Sequence, residues 1–271
     1  MTTDLDIEAF FAAVDASDSA KLGSFFTPTV SLRVNAAQPL SGREAVLKAF
    51  TDFGSSFRSI HHDIVAISRG VTPEGAVVSV EANITYGQLT GEDIRVPGTT
   101  VLRCKDSVVS DYRSYIDLGA IDKARRERNL KSVKSFLDHL EAMDFDAWAD
   151  LFADGAVQEN PYAPNNFPSR FVGKDVLHAH YASMKTTYAS MRFFDRAIHP
   201  GSDPNEIVAE FFGDIRFANS ERKYDNRYCC VFRFDAVGKI VLYREYFNPQ
   251  ILIDAFTGAP EQLDGLEPAT S

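Results

Sequence analysis

The sequence predicts an α+β protein built from two copies of one module, in each of which three helices pack on one face of a curved, mostly antiparallel sheet. Three observations carry this prediction. The same helix pattern occurs in both halves of the chain, runs of β-forming residues follow the helices in each half, and one strand motif closes both halves. Helices that precede the strands, rather than alternate with them, are typical of α+β folds.

Each half begins with two short amphipathic helices. Residues 7–30 and 133–157 both place apolar residues at helical spacing, and an aspartate divides the pair, at Asp18 and at Asp144. A third helix opens at Gly42 in the first half and at Gly173 in the second, 131 residues later.

Strands fill the rest of each half. Several runs rich in Val, Ile, Phe and Tyr follow the third helix in both copies, and such runs predict β-strands. The separation of 131 residues recurs between Arg113 and Arg244 and between Tyr115 and Tyr246. The last strand is therefore the same element in both halves.

These patterns give predicted domain boundaries. Residues 1–121 form the first module, residues 122–257 the second, and residues 258–271 a loosely ordered tail rich in Pro, Gly and acidic residues. The charged segment 122–129 begins the first helix of the second module. An insertion at Asn160–Arg170 must be a loop, in which Tyr162 and Phe167 are placed to cover a cavity mouth.

Composition excludes several classes of partner and site. The 271-residue chain has a formal net charge of -10 and no dense run of Lys and Arg, which argues against nucleic acid and against anionic membranes as partners. Its three cysteines do not suit a disulfide framework, so a reducing compartment is expected. The first eleven residues lack signal-peptide features and no apolar run reaches membrane-spanning length, so the expected location is the cytoplasm.

The most informative candidate residue is Glu245, in the last strand of the second half. Strand side chains alternate between faces, so Val241, Tyr243 and Phe247 share its side. If that side lines a cavity, desolvation raises the pKa of Glu245 towards the range of a proton-transfer group. The alternative is that Glu245 pairs with Arg244 or a neighbouring arginine in a solvated ladder.

Hydrogen-bonding partners for this acid are available in the second half. Tyr243, Tyr228 and Asn160 are candidates because phenol and amide groups can donate to a developing anion without changing charge. Asp214 is a candidate second carboxylate, since two carboxyl groups in one cavity have separated pKa values. The alternative for each tyrosine is a wall residue with its hydroxyl at the surface.

Together the motifs resemble the nuclear transport factor 2-like superfamily, which includes the SnoaL-like proteins. The carriers are the paired helices, the G-[KR]-[DE] helix start and the closing Y-R-x-Y, in both halves. The second half also resembles the phenazine-biosynthesis members, through segments 159–164, 221–228 and 244–249. The resemblance implies a cone-shaped module with a pocket between sheet and helices, without metal or organic cofactor. It also implies association through sheet faces, within the chain or as a homo-oligomer.

The resemblance assigns some site positions and removes others. The base and oxyanion donors of ketosteroid isomerases have no counterparts in either half, which argues against that reaction. Glu245 matches the last-strand carboxylate of the epoxide hydrolases and phenazine proteins, and Ser114 holds this position in the first half. A histidine of the phenazine proteins falls at His62 in the first half and at Phe194 in the second.

The first half offers its own polar candidates. Arg33 is placed to hold a phenolate or carboxylate, and of two adjacent histidines only His62 is expected to face inward, although a structural contact is the commoner role of a strand histidine. The full candidate set of the first pocket is Arg33, Asn35, His62, Tyr86, Tyr112 and Ser114. No metal site is expected, because His178 and His180 are two residues apart on a predicted helix and no metal-binding signature is present.

The predicted function is cofactor-independent acid/base chemistry on a small apolar, aromatic or polycyclic molecule. Isomerisation, cyclisation, dehydration or retro-aldol loss of a small carbonyl fragment all need an acid/base, an anion-stabilising donor and a dry cavity. A lignin-like diaryl compound would suit the content of 21 Phe and 10 Tyr. Two alternatives remain at this point: a non-catalytic binding or scaffold protein, and an epoxide hydrolase, which requires an Asp/Arg/Asp set.

Overall fold

The computed structural model describes residues 5–257, and the predicted tail at 258–271 lies outside them. Within this range the chain divides into two compact units between Asp122 and Lys123. Each unit contains a six-stranded sheet and at least three helices, which confirms the predicted α+β class with two modules. Among the described residues, no helix combines the length and apolar character needed to cross a membrane.

The first module follows the predicted order of elements. Its helices and strands are α1 (Ile7–Asp15), α2 (Ser19–Phe25), β1 (Phe26–Val34), β2 (Leu40–Ser41), α3 (Arg43–Gly54), β3 (Phe57–Thr72), β4 (Gly75–Gln88), β5 (Ile94–Lys105) and β6 (Val108–Ile116). The sheet order is β2-β1-β6-β5-β4-β3, in which β1 runs parallel to β6 and all other neighbours are antiparallel.

The second module repeats this arrangement. Its elements are α4 (Gly119–Ala142), α5 (Phe145–Ala149), β7 (Phe152–Glu159), β8 (Arg170–Val172), α6 (Lys174–Thr187), β9 (Tyr188–Pro200), β10 (Glu206–Phe217), β11 (Lys223–Phe234), β12 (Ile240–Phe247) and α7 (Pro249–Thr257). The sheet order is β8-β7-β12-β11-β10-β9, with β7 parallel to β12. Helix α4 begins at Gly119, earlier than the predicted start in segment 122–129.

The residues that mark the repeat have local structural roles. Asp18 and Asp144 are N-cap residues, whose carboxylates accept hydrogen bonds from the backbone N–H of Lys21 (3.0 Å) and Ala147 (3.1 Å). Gly42 and Gly173 both precede the third helix with φ of 99°, a conformation that favours glycine. The repeated sequence therefore encodes repeated turns and helix starts.

Each module has its own apolar core between helices and sheet. In the second module the fully buried side chains include Phe136, Trp148, Phe152 and Phe232, and Trp148 stacks on Tyr181 with ring centroids 4.0 Å apart. In the first module, Phe10 is fully buried and makes edge contacts with neighbouring phenylalanines. Core packing of this kind fixes the helices over the sheet, and the space left between them forms a cavity in each module.

Candidate functional site

The second module contains a cavity of about 320 Å³ between its sheet and helices. Strands β9 to β12, helix α6, the loop after β7 and helix α7 all contribute side chains to it. Five tyrosines line it, together with phenylalanine and aliphatic side chains: Tyr181, Tyr188, Tyr224, Tyr228 and Tyr243. Glu245 is the only carboxylate among the described residues that line this cavity, and neither arginine nor lysine lines it.

Glu245 lies on β12 with its carboxyl group in the cavity wall. Tyr243, Glu245 and Phe247 alternate onto the cavity side, whereas Val241 is exposed and does not line it. Burial raises the pKa of Glu245 to about 7, and a hydrogen bond from the Tyr243 hydroxyl opposes this rise. Arg244 points to the other face, where it pairs with Glu159 at 2.7 Å, so the alternative of an Arg244–Glu245 ladder is wrong.

Tyr243 connects the carboxylate to the core. Its hydroxyl donates to Glu245 Oε2, and the Cys230 Sγ lies 3.7 Å from the Tyr243 hydroxyl oxygen. Burial raises the pKa of Tyr243 well above its ordinary value, and the nearby Cys230 and Glu245 add to this rise. The phenol therefore stays protonated at neutral pH and can serve as a permanent donor.

A second polar group in this cavity is the pair Tyr224 and Tyr228. Their hydroxyls are hydrogen-bonded to each other, and Asn226 Nδ2 donates to the Tyr224 oxygen at 3.3 Å. Burial raises the pKa of both phenols, and it raises the pKa of Tyr188 to about 12. Sequence reasoning found Tyr228 but missed Tyr224, although strand alternation places the two on the same face of β11.

Asn160 and Phe167 are brought to the cavity by the loop after β7. Asn160 accepts a hydrogen bond from Gln158 Nε2 (3.1 Å) and donates from Nδ2 to the Pro168 carbonyl (3.2 Å), which holds the loop closed. Phe167 lines the cavity and packs against Phe256 of α7, with centroids 5.4 Å apart. Tyr162, in contrast, is 61% exposed and lies outside the cavity, so its expected contact with substrate is corrected.

Two further candidates of the second half lie on the opposite face of the sheet. On β10, Phe211 and Ile215 line the cavity, so alternation turns Asp214 outward, where it pairs with Arg216 at 2.6 Å. Phe194 is 42% exposed, whereas its neighbour Phe193 lines the cavity. Neither Asp214 nor Phe194 is therefore in the cavity, contrary to expectation.

The first module has a cavity of about 290 Å³ at the equivalent place. His62, Tyr86, Tyr112 and Ser114 line it, as the sequence suggested. Burial raises the pKa of Tyr112 to about 12 and raises that of Tyr86 as well.

Two expected members of the first cavity are absent from its lining. Leu32 and Val34 line it from β1, so Arg33 between them belongs to the other face. Asn35 has a φ of 48°, and its side chain bonds to the backbone N–H and carbonyl of Ile116 at 3.0 and 2.8 Å. The structure thus corrects both placements, and Asn35 ties β1 to β6.

His62 has a partner that sequence reasoning missed. Asp15, the last residue of α1, approaches His62 Nδ1 with Oδ1 at 2.5 Å and accepts the His62 backbone N–H with Oδ2 at 3.0 Å. In the second module, Glu141 of α4 accepts the backbone N–H of Phe193 in the same way, at 2.5 Å. Phe193, 131 residues after His62, is therefore its structural counterpart. Applied to this position, the repeat spacing would have identified both the counterpart and the shared carboxylate.

Potential metal ligands do not cluster in the described part of the chain: no group of three His, Cys, Asp or Glu side chains could hold an ion together.

Comparison with known proteins gives the family. The profile of the SnoaL-like domain matches residues 7–112 and again residues 133–243. The chain is 28% identical over 133 residues to the uncharacterised protein YesE of Bacillus subtilis, covering 49% of this chain and 90% of that protein. It is 34% identical over 119 residues to an uncharacterised PhzA/B-like protein of Pseudomonas aeruginosa, covering 44% of this chain and 83% of that protein.

A solved structure shows the same likeness for one module's length. A phenazine biosynthesis-related protein of Pseudomonas aeruginosa aligns with a TM-score of 0.44 and 22% identity, covering 54% of this chain and 97% of that chain. Since the family profile matches most of the chain in two separate segments, the family assignment depends on both modules. The chain belongs to the SnoaL-like domain family and carries its domain twice.

Proposed function

We propose that the second module is a cofactor-independent acid/base enzyme that transfers a proton within an uncharged aromatic small molecule. The observation that carries this proposal is Glu245, whose carboxyl lines the cavity with a pKa raised to about 7 by burial. A group with a pKa near neutrality is present in both protonation states, so it can accept a proton from one atom and return it to another.

The tyrosines supply the second requirement of such a reaction. When Glu245 removes a proton from a carbon beside a carbonyl, negative charge develops on the carbonyl oxygen, which then needs a hydrogen-bond donor. The hydrogen-bonded pair Tyr224 and Tyr228 lines the same cavity and stays protonated because burial raises both pKa values. Tyr243 already donates to Glu245, so its part is to hold the carboxyl group in position.

The lining favours an uncharged substrate with ring systems. No lysine or arginine is present among the described lining residues to pair with an anion, and burial lowers the pKa of His180, which keeps this lining histidine neutral. Phenylalanine and tyrosine rings line most of the walls and provide edge and face contacts for aromatic rings. A diaryl compound of the lignin type, which loses a small carbonyl fragment by retro-aldol cleavage, remains the specific substrate class within this proposal.

Deuterium exchange tests the proposal without knowledge of the natural substrate. We would incubate deoxybenzoin, an uncharged ketone with two phenyl rings and an acidic C–H group, with the full-length protein in D₂O and follow loss of the C–H signal by ¹H NMR. We expect catalysed exchange by the wild-type protein and a rate at least about 100-fold lower for Glu245→Gln, since general-base catalysis is worth about 10²–10⁴. His62→Phe, in the other module, should exchange at the wild-type rate.

Binding measurements separate the competing functions. If Glu245→Gln exchanges as fast as wild type, Glu245 is not the base and the proposal is wrong. If wild type binds deoxybenzoin but never exchanges its protons faster than buffer, the second module is a binding domain. Hydrolysis of stilbene oxide by wild type and not by Glu245→Gln would favour the epoxide hydrolase alternative, although neither Asp nor Arg occurs among the described residues that line this cavity.

A further inference from the structure

The cavity of the first module contains a histidine whose ring is almost completely enclosed. The His62 side chain is 7% exposed, lines the cavity, and packs against Phe11 with ring centroids 4.8 Å apart. Its Nδ1 faces Asp15, whereas Nε2 has no hydrogen-bond partner within the described residues 5–257. A buried polar atom without a partner is costly, so such an atom in a cavity wall indicates a place for a ligand.

Asp15 determines which hydrogen bond the free nitrogen can make. One oxygen of its carboxylate accepts the His62 backbone N–H and the other faces Nδ1 at 2.5 Å. Because a carboxylate can only accept, the ring proton resides on Nδ1 and Nε2 carries a lone pair. The first cavity therefore presents a hydrogen-bond acceptor, held in a fixed orientation, where the second cavity presents Phe193.

The rest of the lining determines the chemical class of the ligand. Phe50, Phe53, Tyr86 and Tyr112 supply aromatic walls, and most other contributors are aliphatic. No lysine or arginine lines the cavity among the described residues, and the Asp15 carboxylate stands behind His62, so an anionic ligand has no charge partner. A volume of about 290 Å³ is at the lower end for drug-sized molecules and suits one or two rings.

We propose that the first module is a second, separate ligand site, in which His62 Nε2 accepts a hydrogen bond from the hydroxyl group of an uncharged phenol. Asp15 is a positioning residue, because it acts on the ligand only through the imidazole ring. The position equivalent to Glu245 is Ser114, which also lines this cavity, so the two sites differ in their ionisable group as well as in their acceptor.

The test uses full-length protein labelled with ¹⁵N at histidine, and 4-fluorophenol as the probe. We expect the His62 Nε2 resonance to have the shift of an unprotonated ring nitrogen and to move as 4-fluorophenol is added. The same titration with 4-fluoroanisole, which lacks the hydroxyl proton, and with 4-fluorobenzoate, an anion, should leave it unchanged. Reading the His62 resonance isolates this site from any binding in the second module.

Variants make the test quantitative. His62→Phe keeps a ring of similar size and should lower the 4-fluorophenol affinity of this site at least tenfold, read by ¹⁹F NMR with deoxybenzoin present to occupy the second cavity. His61→Phe is the matched control, because the neighbouring His61 side chain is 73% exposed, and it should bind like wild type. Asp15→Asn, which keeps an oxygen acceptor for the backbone, should weaken binding and increase the Nε2-protonated form.

Two results would overturn this inference. One is a wild-type His62 protonated at Nε2 at neutral pH, and the other is 4-fluoroanisole binding as tightly as 4-fluorophenol. Both are measured on wild type, so they remain decisive even if a variant fails to fold. Neither result bears on Glu245 or on proton exchange in the second module.

Discussion

At the scale of single residues, the pair Tyr243 and Glu245 explains how one carboxyl group is brought close to neutrality. Burial raises the pKa of Glu245, and the Tyr243 hydroxyl partly offsets this because it donates to the ionised form. The two effects have opposite signs, so they can be separated by removing the donor alone.

Tyr243→Phe should therefore raise the pKa of Glu245 above 7, because the buried carboxylate loses its hydrogen bond while its burial is kept. The measurement is a ¹³C NMR titration of the glutamate side-chain carboxyl signals, with Glu245→Gln used for assignment. Tyr246→Phe, on the other face of β12, is the matched control and should leave the titration midpoint unchanged. A midpoint that stays or falls in Tyr243→Phe would show that the phenol does not stabilise the carboxylate.

The same pair also shows where residue-level reading of the sequence succeeds. Alternation along β12 placed Tyr243, Glu245 and Phe247 together, and the structure has all three in one cavity wall. Alternation was available for Arg33 and Asp214 too, since apolar neighbours on each side of them indicate which face is buried. Those two errors came from favouring a charged residue over the pattern around it.

At the scale of elements, strand β10 approaches β11 and β9 closely at Gly213. A Cβ atom at this position would lie 2.9 Å from Tyr228 Cε2 and 3.2 Å from Phe193 Cε1. Both rings line the second cavity, so the missing side chain at Gly213 leaves room for them to stand side by side.

Gly213→Ala should therefore destabilise the protein by about 1–3 kcal/mol, the usual cost of overpacking a core, and should displace Tyr228 from its contact with Tyr224. Urea denaturation gives the free energy of unfolding. Gly155→Ala, in β7, is the control because nothing lies within 4 Å of a Cβ there. Equal free energies for the two variants would mean that the rings adjust without strain.

Helix α7 shows which elements could not be taken from the repeat. The first half has no described counterpart of α7, yet this helix brings Leu252 and Phe256 to the second cavity. Local signals were present, since Pro249 starts the helix and Asn248 Oδ1 accepts the Gln250 backbone N–H at 3.0 Å. The contact between Asp15 and His62 is different, because it joins residues 47 positions apart that no single-strand pattern connects.

At the scale of the whole molecule, Glu245 links stability to pH. Its pKa is about 7 in the folded protein against an ordinary value of 4.5, so the native state binds the proton more tightly than the unfolded state does. The stabilisation is fully present below about pH 4.5 and is lost as the pH rises through about 7.

Glu245→Gln should accordingly be more stable than wild type at pH 9, by about 1–3 kcal/mol, because it avoids a buried charge. At pH 5, where wild-type Glu245 is neutral, the difference should disappear or reverse. Denaturant unfolding at the two pH values measures this. Glu210→Gln, on the outer face of β10, removes the same charge and should show no such dependence. A wild-type advantage at pH 9 would contradict burial as the cause of the raised pKa.

Most of the architecture was predictable because the chain states it twice. Helix spacing, the glycines before the third helix and the final strand recur, and a repeated pattern is unlikely to arise without a repeated structure. The sites were less predictable, since Tyr181 and Tyr188 reach the second cavity through the packing of α6 and β9. Packing between distant elements has no period in the sequence.

The carboxylates at the ends of α1 and α4 have one more consequence. Strands β3 and β9 are the outermost strands on their side of each sheet, and such strands offer unpaired backbone groups to any other chain. Asp15 and Glu141 occupy a backbone N–H in each of these strands. Both copies thus close an open sheet border with an acid from their own first helix, which protects the folded chain against edge-to-edge aggregation.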